Sequence, residues 1–104
     1  MTIHIIYSLH GSEKDATQLL LNLLSKKMVA CGNIFPCQSY FEWKRTMDNA
    51  KEWVLIVKTS QKKVRIACEW LENHHPYEIP AILTWSVEAN EKYANWVEEQ
   101  TNSV

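Results

Sequence analysis

The chain has almost no glycine: Gly11 and Gly32 are the only two in 104 residues. A phosphate-cradling loop needs several glycines so that backbone N–H groups can crowd an anion, and that class is excluded. Neither sign of charge dominates, since 11 Lys and Arg stand against 12 Asp and Glu. The basic stripe that binds nucleic acid or an anionic membrane is therefore missing. Cysteine is scarce and odd in number, with Cys31, Cys37 and Cys68 far apart and no CxxC pair. Reduced thiols in a cytoplasmic setting are the expectation, rather than a disulfide scaffold. No apolar run reaches the length that spans a bilayer, and residues 1–10 lack a signal-peptide layout. No Ser or Cys has a His at a nucleophile–base spacing, and no paired carboxylates stand out. An enzyme is not expected.

What is present is apolar and aromatic. Hydrophobic residues make up 46% of the chain and five Trp are among them, which describes a single folded domain spanning residues 1–104. Residues 3–8 form a β-branched, apolar strand, and His10-Gly11 reads as a turn. Ser12 precedes Asp15 by three residues as a helix start, and Ala16, Leu19, Leu20, Leu23 and Leu24 follow at helical spacing. Lys26 and Lys27 fall in the expected last turn. A second strand, residues 28–35, is expected to break at Pro36 and resume at Gln38. Asp48-Asn49 marks the expected turn, after which residues 52–59 return as an antiparallel partner. Residues 60–73 read as a helix with Val64, Ala67, Cys68 and Leu71 on one stripe, stopped by Pro76. A strand over 81–87 and a short helix over 90–100 complete the chain.

The order β-α-β-β-α-β plus a C-terminal helix predicts an α+β, ferredoxin-like antiparallel sheet with helices on one face. A helix of about 14 residues spans about 21 Å, which a strand of about 6 or 7 residues already matches. The hairpin is longer than that. Its surplus, carrying Tyr40, Phe41, Trp43 and Trp53, would leave strand edges and apolar faces in water. Pairing with neighbouring subunits is the expected remedy.

The densest chemistry lies in His74-His75-Pro76-Tyr77-Glu78-Ile79-Pro80. Imidazole suits Cu(II), Zn and Ni, and Glu78 would add an oxygen, so His74, His75 and Glu78 are the metal candidates. Adjacent helical residues point about 100° apart, so both imidazoles reach one ion only where the helix has frayed. The competing reading is that one His donates to the free carbonyls of the helix C-terminus. Tyr77 and Glu78, bracketed by prolines, either face a cleft or belong to an ordinary turn.

Val29-Ala30-Cys31-Gly32-Asn33-Ile34-Phe35-Pro36, Tyr40 with Trp43, Leu55-Ile56-Val57-Lys58-Thr59, His75-Pro76-Tyr77-Glu78-Ile79-Pro80, and Tyr93 with Trp96 stand in this order. Together they resemble the CutA divalent-cation-tolerance family over nearly the whole chain. The resemblance implies a homotrimer whose sheets extend between chains through the hairpin. It also implies tolerance of divalent cations, copper above all, with no established enzymatic activity. A likeness of trimeric plan to P-II-type signalling proteins implies, as an alternative, ligand binding in subunit clefts, and a structural trimer acting through a protein partner is the remaining alternative. The cleft or interface set is Cys31, Tyr40, Trp43, Lys58, Tyr77 and Trp85. Where some relatives carry a Cys proposed as a copper ligand, this chain has Tyr7. Lys44-Arg45-Thr46 stands where the family commonly has a Gly after the hairpin Trp, so the turn geometry there is expected to differ.

Overall fold

The computed structural model describes residues 1–102. Its elements run β1 (Thr2–His10), α1 (Glu13–Ser25), β2 (Cys31–Trp43), β3 (Thr46–Thr59), α2 (Val64–His74), β4 (Ile82–Glu88) and α3 (Glu91–Thr101). The strands make one antiparallel sheet in the order β2-β3-β1-β4, which is the ferredoxin-like arrangement expected.

Helix α1 starts where Ser12 Oγ accepts the Asp15 N–H at 3.1 Å. It stops two residues earlier than the lysines suggested, at Ser25. Lys26 is the C-cap and Lys27 takes the left-handed region at φ 61°. The Lys27 N–H donates to Leu24 and the Met28 N–H to Leu23, a Schellman closure that uses up the last carbonyls. The start of α2 also shifts, because residues 60–63 form a turn and the helix proper begins at Val64.

The hairpin corrects two further expectations. Pro36 does not break β2; it pairs with Trp53 in an unbroken register from Cys31↔Lys58 to Trp43↔Thr46. β2 is an edge strand, where a missing N–H need not interrupt the ladder. The turn is not at Asp48-Asn49, which pair inside the hairpin with Phe41 and Tyr40. It is the two-residue link Lys44-Arg45, with φ 51° and 69°. Two positive φ values give the primed turn whose twist matches the flanking strands, so the ladder zips to its tip. At 14 residues β3 reaches about 46 Å. That accounts for the molecule's 46 × 24 × 20 Å shape.

Side chains alternate across the sheet. Ile6, Leu55 and Val57 meet Leu19, Leu20 and Leu23 of α1 and Ala67 and Leu71 of α2 in the main core. Gly32 lies on this side, where a Cβ would stand 2.6 Å from Leu20 Cδ1. Ile3, an odd number of residues from Ile6, faces the other way, into a smaller cluster with Ala30, Ala94 and Val97 under α3. Beyond α3 that second face is open. On it Ile5 pairs with Trp85 and Tyr7 with Leu83, while Phe35 lies opposite Val54. Leu83, Trp85 and Phe35 are 55%, 44% and 44% exposed.

Candidate functional site

The joint between α2 and β4 separates the two histidines that the sequence places side by side. His74 closes α2: its Nδ1–H donates to the Trp70 carbonyl at 2.7 Å and its ring stacks on the Trp70 indole at 4.0 Å. This is the C-terminal capping role. His75 leaves the helix with ψ 132°, which turns its ring into the protein. Its Nε2–H donates to the Leu9 carbonyl at 2.7 Å, and its Nδ1 accepts the Tyr77 N–H at 3.1 Å. Both ring nitrogens of His75 are committed, so a metal would have to break one of these bonds. Glu78 lies exposed beyond them. Of the expected His74–His75–Glu78 ligand set, the helix end sends the two imidazoles to different partners. Among the described residues no three His, Cys, Asp or Glu side chains stand together as a metal-holding group.

What His75 does build is a buried stack. Its ring lies 4.7 Å from that of His10 and, edge-on, 4.7 Å from that of Tyr77. His10 is fully buried at the end of β1, not in a turn as its neighbour Gly11 suggested. Its Nε2 meets Ser8 Oγ at 2.7 Å, while Nδ1 is buried without a partner. Burial holds its pKa down to about 4, helped by the His75 charge and opposed by Asp15 and Glu52. The Tyr77 hydroxyl donates to Glu52 Oε2 at 2.8 Å. Burial, then this bond, pushes the phenol up to about 12, so it stays a donor at neutral pH.

Tyr77 and Glu52 stand at a cavity of about 630 Å³ between the hairpin and the segment 77–81. Tyr40, Phe41, Trp43, Glu78 and Ile79 also line it. Tyr40, Trp43 and Tyr77 of the expected cleft set therefore come together, joined by Glu78 from the expected metal set. The others lie elsewhere. Cys31 Sγ sits 3.0 Å from the Tyr93 hydroxyl beside α3. Burial, then this thiol, raises the Tyr93 phenol to about 12. Lys58 Nζ donates to Asn33 Oδ1, its partner strand's neighbour. Trp85 belongs to the open sheet face, as does Tyr7, which pairs with Leu83 and Ile56. Sequence reasoning missed His10 and Glu52. The signal for Glu52 was present, since it shares the strand face of Val54 and is 7% exposed.

A sheet with this order, an overlong hairpin and two open edges defines a ferredoxin-like domain of α+β class. The family profile described as "CutA1 divalent ion tolerance protein" matches residues 4–100. The "Divalent-cation tolerance protein CutA" of Thermotoga maritima is 38% identical over 96 residues, 91% of this chain and 95% of that protein. The crystal structure of the divalent ion tolerance protein CutA1 from Ehrlichia chaffeensis superposes with TM-score 0.94 at 33% identity, covering 97% of this chain and 96% of the other. The "Periplasmic divalent cation tolerance protein CutA" from Archaeoglobus fulgidus gives TM-score 0.91 at 31% identity, covering 98% and 100%. The chain belongs to the CutA divalent-cation-tolerance family.

Proposed function

We propose that the protein works as a homotrimer that binds divalent cations, copper among them, through donors contributed by more than one subunit, without catalysing a reaction. The observation that carries this reading is the open sheet face. Phe35, Leu83 and Trp85 are exposed there beside the unpaired edges of β2 and β4. Exposed edges flanked by exposed apolar side chains are a template for further strands, and a second copy of the same hairpin supplies them. Among its described residues a single chain brings at most isolated donors, such as the Nε2 of exposed His74. Three unpaired cysteines fit a reducing compartment such as the cytoplasm.

Light scattering at micromolar concentration tests the assembly. The expected mass is three chains for the wild type and one for Leu83→Lys/Trp85→Lys. A monomeric wild type overturns the reading. Calorimetric titration of Cu(II) into both proteins tests the metal: binding is expected to weaken at least about tenfold when the assembly is lost. Equal binding would place the metal on a single subunit. A second reading, a ligand-binding cleft, is favoured by the cavity of about 630 Å³ at the hairpin. Its volume lies within the range of about 300–1,000 Å³ usual for small-molecule sites.

A further inference from the structure

We propose that this cavity takes an organic cation, a protonated amine or guanidine on an apolar body, with Glu52 as its charge partner. The inference rests on the cleft reading just given and names the chemistry of its ligand.

The first observation is an uncompensated carboxylate. Glu52 is 7% exposed, and the one hydrogen bond of its side chain among the described residues comes from the Tyr77 hydroxyl. Their side-chain ion pairs join Met1 to Glu88 and Arg65 to Glu69, and neither reaches Glu52. An ionised carboxylate has roughly four acceptor positions, and removing it from water without a cation is costly. One phenol leaves most of that need unmet.

The second observation is the sign and texture of the walls. Two carboxylates, Glu52 and Glu78, line the cavity, and no Lys, Arg or His does. Four rings, Tyr40, Phe41, Trp43 and Tyr77, share it with them. An anion is repelled from such a site, and a neutral ligand leaves Glu52 buried and unpaired. A cation with an apolar body answers both features, because aromatic faces attract cations as well as hydrocarbon. Trp43 already does so, with the Lys44 ammonium 5.8 Å from its ring. A bare metal ion is a poor match. It wants several donors at short range, which the described residues do not gather anywhere. It would also fill little of the roughly 630 Å³.

The test is a calorimetric titration of the assembled wild type with benzylammonium, and separately with benzyl alcohol, its neutral counterpart of similar shape. Benzylammonium is expected to bind at least about tenfold more tightly. Glu52→Gln keeps the volume and an acceptor for Tyr77 while removing the charge, and is expected to abolish the preference with the scattering mass unchanged. Should Glu52→Gln fail to fold, Tyr40→Ala serves. Tyr40 is 75% exposed, so its loss spares the core and is expected to weaken benzylammonium several-fold. Equal binding of the two probes would leave the cleft standing and sink the cation. Binding of neither would sink both readings. Stoichiometric displacement of benzylammonium by Cu(II) would also overturn the proposal, by making the cavity a metal site.

Discussion

Acidification should unfasten this fold through His10, and its burial fixes how far. The ring is sealed between β1 and the His75 imidazole, with Nε2 on Ser8 and Nδ1 facing no acceptor. Whichever nitrogen carries the proton in the neutral ring, the imidazolium must bury an N–H without a partner. The pKa of about 4, against 6.5 in an unstructured chain, expresses that cost. Because the folded value is the lower one, the unfolded chain binds more protons between the two. Stability from this site is complete above about pH 6.5 and is lost as pH falls towards about 4. The full loss is about 3 kcal/mol, and about 2 kcal/mol of it arrives by pH 5, before most carboxylates titrate.

The measurement is a set of guanidinium unfolding curves at one protein concentration, stepped from about pH 7 to about pH 5, for wild type and His10→Gln. Glutamine can place an amide near Ser8 but cannot take up a proton. The variant is expected to start less stable and then to hold its stability across the window, while the wild type loses about 2 kcal/mol. His4 and His74 are common to both proteins and cancel in the comparison, while His75 loses its stacking partner in the variant, so the difference reads the His10–His75 stack as a unit. Parallel pH dependence in the two proteins would refute the reasoning, because the acid sensitivity would then arise outside the buried stack.

The remaining predictions concern the fold. Gly32→Ala places a methyl 2.6 Å from Leu20 Cδ1 and 3.1 Å from Val57 Cγ1, both in the core. A loss of about 1–3 kcal/mol is expected in thermal unfolding, and an unchanged midpoint would show that Leu20 can step aside. Arg45→Gly relieves a positive φ of 69° at the hairpin tip and should stabilise by about 1 kcal/mol, read as slower proteolysis between β2 and β3. Lys27→Gly does the same at the end of α1, where φ is 61°, and should raise the unfolding midpoint by a similar margin. Ser12→Ala removes the Oγ that accepts the Asp15 N–H and should cost about 1 kcal/mol by denaturant unfolding.

The fold was legible in the sequence because its signals are periodic. Leu19, Leu20 and Leu23 repeat as a helix does, and Leu55 and Val57 alternate as a strand does, so both faces of the main core follow from spacing. The errors fell where one residue type carries two meanings. Pro36 reads as a stop, yet at the sheet edge its missing donor does not end the ladder. Asp48-Asn49 reads as a turn, yet Lys44-Arg45 accept positive φ against their own preference because the ladder continues past Asp48 on both strands. The site failed in sequence for a different reason. Adjacency of His74 and His75 looked like chelation, but the α2 C-terminus lies between their two side-chain directions. One ring caps the helix and the other enters the core.

His75, the residue that looked most like a ligand, therefore acts as a strut. It ties Leu9 of β1 to Tyr77 of the joint, and Tyr77 in turn reaches Glu52 of β3. Three segments distant in sequence are thus held around one buried carboxylate. Loss of the strut should be felt at the cavity before it is felt in the core. His75→Gln is expected to weaken benzylammonium several-fold while leaving the packing of Leu23, Leu55 and Leu71 intact, because the hydrogen bonds of His75 go to Leu9 and Tyr77 and reach none of these core side chains. Hydrogen exchange reads the difference directly: faster exchange at the Tyr77 amide, with unchanged protection along β3 at Leu55 and Val57. Equal loss of protection at both places would mean that the stack supports the whole subunit, and that the cavity is a consequence of global stability and not of this chain of bonds.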